Sequence, residues 1–105
     1  MENGALIMSK INKEYLIERA KIYREEAQRA IELFLSGDIY RAQLVKRTII
    51  KSCCSELKNG QQETDAYYEL LEKMAALPEG EDSLFENLDW IRVNCRVYID
   101  SAKWS

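Results

Sequence analysis

The segment from Ser83 to Trp104 (SLFENLDWIRVNCRVYIDSAKW) constrains this chain most, because it places apolar residues on two sides of one helix. Leu84, Leu88, Ile91, Cys95, Tyr98 and Ala102 succeed one another by steps of four, three, four, three and four. At about 100° per residue they stay on one side of an α-helix. Trp90, Val93, Val97 and Trp104 fall on nearly the opposite side. A surface helix usually shows one apolar stripe, turned to the core, and a second stripe asks for a second cover. One side can face the chain's own bundle. The other would most economically face another molecule. The competing expectation is an irregular bundle in which this helix lies centrally, covered on both sides by its own chain.

The same period recurs upstream. Leu16, Ala20, Tyr23, Ala27, Ala30 and Phe34 predict a helix over about Asn12 to Ser36, with Asn12 as N-cap and an Ile11–Leu16 hydrophobic staple. Alanine at three of those positions permits close approach of a neighbouring helix. Gly37 suits the left-handed position that ends this helix, and Asp38 caps the next. Ala42, Val45, Ile49, Cys53 and Leu57 predict helix 2 over Ile39 to about Lys58, with Ile50 and Cys54 widening its face. Thr64 would cap a short helix 3 (Asp65 to Leu77) built on Tyr67, Leu70, Leu71, Met74 and Leu77 and stopped by Pro78. Ser83 and Glu86 have the spacing of a capping box for helix 4. Four helices on short loops predict an all-α, antiparallel up-down four-helix bundle over residues 11–105. Residues 1–10 read as a flexible N-terminal leader.

With 105 residues the chain can bury one core without disulfides or metal. One proline and four glycines leave little material for turns, in keeping with few, long elements. The net charge of −3 is unevenly spread. Residues 1–61 hold 11 bases and 8 acids, residues 62–89 hold 1 base and 9 acids, and residues 90–105 hold 3 bases and 1 acid. The simplest account is intramolecular, with the acidic third helix lying near the basic second one. Three cysteines, two of them adjacent, do not make a secreted disulfide framework. No run reaches the roughly 18 apolar residues of a membrane span, and no signal-peptide core is present. A cytoplasmic protein is expected.

The chain has no histidine, which removes Ser-His-Asp and Cys-His catalysis and HExxH zinc sites. Cys53 and Cys54 are neighbours on a helix and point about 100° apart, a poor geometry for a shared metal. Cys53 and Cys95 belong to core faces, where a thiol acts as a small hydrophobe, and Cys54 is the thiol to test for reactivity. Glu14 and Glu18, Glu25 and Glu32, and Glu69 and Glu72 are spaced to face one another, but these acids lie off the apolar stripes. No catalytic residue, metal or cofactor is therefore assigned, and the chain is not read as an enzyme. Arg41, Lys46, Arg47 and Lys51 make helix 2 basic, although Lys46 falls close to the apolar face. Phosphate binding through Arg41, Arg47 and Lys51 is the alternative to a protein interface on helix 4.

The segment Ala27 to Ala42 contains G-D-x-Y-x-A (Gly37, Asp38, Tyr40, Ala42) between two amphipathic helices. It resembles the first helical hairpin of HEPN-type domains, small bundles of four or five helices, over most of residues 12–104. It also looks like the turn of a tetratricopeptide unit, but helix 1 is about twice too long for that repeat and no second copy follows. HEPN ribonucleases carry an R-x4–6-H signature; Arg92 or Arg96 could match its arginine, and no histidine follows. The resemblance therefore implies the non-catalytic branch: a homodimeric helical module that binds a protein or nucleotide-bearing partner. Together these readings predict an interaction or regulatory module, homodimeric through Trp90, Val93, Val97 and Trp104, with a two-fold axis making one self-complementary patch sufficient.

Overall fold

Helices form where the apolar period places them: α1 over Glu2–Leu35, α2 over Ile39–Asn59, α3 over Ala66–Ala75 and α4 over Leu84–Trp104. This computed structural model describes residues 2–59, 66–80 and 82–104, with side chains from residue 13 onward, and no strand occurs among them. Asn12 lies inside α1 and is not its N-cap. No proline precedes it, and Ala5, Leu6, Met8 and Lys10 all favour helix, so nothing interrupts the hydrogen-bond ladder. The helix is continuous across residue 10, the boundary expected between leader and domain. The Ile11 staple and the Thr64 cap fall outside the described side chains.

The α1–α2 turn follows directly from its residues. Gly37 sits at φ 94°, where a Cβ would be strained. Its N–H donates to the Phe34 carbonyl at 3.0 Å, and Asp38 N–H donates to the Leu33 carbonyl at 2.9 Å. These two bonds form a Schellman motif that satisfies the last carbonyls of α1. Asp38 then caps α2, its Oδ1 accepting from the Arg41 N–H at 3.1 Å. Helix α3 ends at Ala75, two residues before the expected Leu77. Pro78 disfavours helical backbone at Leu77, whose N–H closes a tighter turn on the Met74 carbonyl at 3.2 Å.

Two buried clusters hold the four helices together. The larger unites Ala20, Tyr23 and Ala27 of α1, Ile49 and Cys53 of α2, four residues of α3, and Ile91, Cys95 and Ile99 of α4. The smaller joins Ala30, Ile31, Ala42, Leu84 and Leu88 near the α1–α2 turn. α1 packs most extensively on α4 and next on α2, and α2 packs on α3. Ala20, Ala27 and Ala30 have no exposed surface, so the small side chains do sit where the helices close up. On α4 the buried stripe is wider than its spacing suggests, taking in Ile99 and Asn87 and leaving Tyr98 half-buried. Cover from α1 on one flank and from α3 on the other widens it.

Lys46 is buried on α2 and is anchored there by a hydrogen bond to the Pro78 carbonyl. Asn87 Nδ2 donates to the same carbonyl at 3.1 Å, so one proline oxygen ties α2 and α4 to the turn between α3 and α4. Burial pushes the Lys46 amine below its ordinary pKa, and nearby Glu79 opposes that shift. The basic second helix and the acidic third segment thus meet at this point.

Candidate functional site

The outward side of α4 carries one part of the apolar surface that the fold leaves bare; Tyr15, Ile22, Leu35, Tyr40, Leu44 and Phe85 are exposed elsewhere. Trp104 is 90% exposed, Val97 57% and Val93 41%, all on the side opposite the buried Leu84–Leu88–Ile91–Cys95 stripe. Trp90 differs: it is half-buried and packs against the larger core cluster. At about 240° around the helix from Leu84 it lies on the flank of the outward stripe, within reach of the core. The four residues therefore share one continuous helical face, three of them standing free and one forming its margin. Trp and Val at such positions each gain about 1.5–3 kcal/mol when water is removed. Trp is also among the residue types that dominate interface energetics.

Arg41, Arg47 and Lys51 do not share one side of α2. Arg41 turns toward the start of α2, its Nε 3.5 Å from Asp38 Oδ2. Arg47 and Lys51 are exposed on the outer side of α2, and Lys58 continues their row by helical spacing. None of these three makes an ion pair among the described residues.

A polar junction not anticipated from the sequence lies where α1, α2 and α3 meet. Glu56 Oε2 accepts from the Tyr23 hydroxyl and from Arg19 Nη2 at 3.3 Å, and Oε1 accepts from the Tyr67 hydroxyl at 2.7 Å. Arg19 Nη2 also donates to the Tyr23 oxygen at 3.2 Å, and its guanidinium lies 5.1 Å from the centre of that ring. Burial, and then the hydrogen bond to Glu56, push both phenols well above the usual tyrosine range, which keeps them protonated donors. The signal was available: Glu56 follows Cys53 by three residues and so sits on the inward side of α2. This acid is an exception to the expectation that the acids lie off the stripes. The junction joins three helices and its donors and acceptor face one another, which is the arrangement of a structural tie.

The other candidate groups are simply placed. Glu14, Glu18, Glu25, Glu32, Glu69 and Glu72 are exposed, with no apolar wall around them. Burial pushes the Cys53 and Cys95 thiols up to about 12, so both remain protonated within the core. Cys95 Sγ lies 3.9 Å from Met74 Sδ. Cys54 is exposed rather than part of the α2 apolar face, about 100° around the helix from buried Cys53. No three metal-ligating side chains group together among the described residues. A cleft of about 230 Å³ between α1 and α2, over Ile22, Leu44, Val45 and Ile49, is smaller than the roughly 300 Å³ at which small-molecule sites begin. A wider groove of about 700 Å³ between α1 and α4 mixes both signs of charge. There Arg92 pairs with Asp89 at 2.6 Å and Arg96 approaches Asp100 at 4.0 Å.

Among the described residues no helix is long and apolar enough to cross a membrane. No family model, curated protein or solved structure matches the chain.

Proposed function

We propose that this protein is an interaction or regulatory module that works by protein–protein association, with no chemistry of its own, and that it pairs with a second copy through α4. The observation that carries this reading is the outward face of α4, where Val93, Val97 and Trp104 stand exposed along one stripe. A two-fold axis lets one such patch serve both partners, the commonest route to a soluble oligomer. The helices are read as antiparallel and up-down. The three-residue turn at Ser36–Asp38 supports that arrangement, as does the meeting of Arg19 and Tyr23 with Glu56, which lie at similar chain distances before and after the turn. The HEPN-like hairpin at Gly37–Ala42 points the same way, since its non-catalytic branch implies a homodimeric helical module. A cytoplasmic setting fits three unpaired cysteines.

Light scattering of the wild type beside Val97→Asp/Trp104→Ala tests the reading. The expected result is a dimer that becomes monomeric while far-UV helicity holds, because both substitutions lie on exposed positions; Tm falls only by what the pairing contributed and loses its dependence on concentration. Trp90 is left intact, since truncating it would disturb the core. A wild type that stays monomeric at high micromolar concentration would overturn the self-association.

A second reading rests on the outer row of α2, where Arg47, Lys51 and Lys58 stand exposed with no ion pair among the described residues. Phosphate contacts of this kind would give binding to RNA or DNA that falls steeply with salt. Loss of that binding in Arg47→Glu/Lys51→Glu supports this reading, and no retention of either nucleic acid by the wild type at low salt removes it.

A further inference from the structure

We infer that two copies pair through antiparallel α4 helices in one register, with Val93 of each copy opposite Val97 of the other. This rests on the self-association reading above and adds the geometry. Along the outward face, Trp90, Val97 and Trp104 recur every seven residues, and so do Glu86, Val93 and Asp100. The two sets alternate by three and four, which is the seam of a two-helix contact. Each set has a valine at its middle; one is flanked by indoles and the other by carboxylates.

The charges select the direction. In a parallel pair each set meets its own copy, so Glu86 faces Glu86 and Asp100 faces Asp100 inside the seam. Like charges brought together there repel with little water to screen them. In the antiparallel pair centred between Val93 and Val97, each set meets the other. Val93 packs on Val97, Asp100 faces Trp90, and Glu86 faces Trp104. No acid meets an acid, and each carboxylate faces an indole whose N–H is a donor only. The flank agrees. Asp89 of one copy comes beside Lys103 of the other, twice by symmetry, and Asp89 keeps its own contact with Arg92 on one oxygen only. Arg96 approaches its copy across the two-fold, but Asp100 of its own chain lies 4.0 Å away and offsets that charge. The seam runs from residue 86 to 104, roughly 27 Å of helix.

Cysteine pairing reads the register directly, in a Cys54→Ser background that removes the exposed thiol. Val93→Cys and Val97→Cys proteins are oxidised mildly, each alone and then mixed. The expected result is a covalent dimer in the mixture and little in either alone. Asp89→Lys and Lys103→Asp each weaken the dimer, by about tenfold, and the combined swap restores it. Covalent dimers formed by each cysteine protein alone would overturn this register in favour of the parallel pair, while leaving self-association standing. A dimer by light scattering that forms neither product and tolerates Val97→Asp would place the contact elsewhere and overturn the register and the α4 face together. A chain monomeric at high micromolar concentration would remove the self-association reading and this geometry with it.

Discussion

Replacing Glu56 with alanine lowers the stability of this fold by about 2–3 kcal/mol, with Tm falling on the order of 10–15 °C. The carboxylate accepts from three side chains on two other helices, so its loss takes the shared acceptor from one guanidinium and two hydroxyls. Unpaired buried donors cost about 1–3 kcal/mol each when nothing else reaches them. The sum is reduced here because Glu56 and Arg19 keep about a fifth to a quarter of their side-chain surface in water (21% and 24%), where solvent can partly replace the lost partner. The Arg19 side chain is already stretched in this respect, its buried Nε having no hydrogen-bond partner among the described residues. Glu56→Gln keeps an acceptor oxygen and should cost about half as much. Chemical denaturation of the three proteins measures both values. A loss below about 0.5 kcal/mol for Glu56→Ala would show that the junction adds nothing to the fold.

Ala27→Leu should be nearly as damaging, at about 3 kcal/mol, for the opposite reason. Ala27 has no exposed surface and lies in the larger core cluster, on the helix that packs most extensively against α4. Three added carbons must enter a fully buried seam, so either α1 moves away from its neighbours or the leucine takes a poor rotamer. Overpacking of this kind costs about 1–3 kcal/mol, and a helix seam closed by alanine belongs at the upper end. Ala66→Leu, at an exposed position in the first turn of α3, is the control and should stay within about 0.5 kcal/mol of the wild type. Equal stabilities for the two variants would mean that α1 does not approach its neighbours closely at Ala27.

Much of the fold was legible because it depends on neighbours along the chain. The Schellman end at Gly37 and the Asp38 cap need only local residues, and both form as their types require. The start of α1 was misread for a related reason: Asn12 can cap a helix, but nothing before it stops one. The exposed row of Val93, Val97 and Trp104 on α4 was also readable, since it rests on angle alone.

Sequence by itself determined four helices, the residues that end or cap several of them, and the existence of two apolar sides on the last one. Tertiary structure alone decided which flanks are covered. It made Glu56 an acceptor for three side chains and buried Lys46 against a proline carbonyl. It also packed Trp90 half-buried against the core while leaving Trp104 in water. Helical period gives the direction in which a side chain leaves its own axis, but burial depends on how near the next axis lies and at what angle it crosses. That distance is set by contacts among residues far apart in the chain, chiefly the alanines of α1 and the residues of α3 and α4 that close around them.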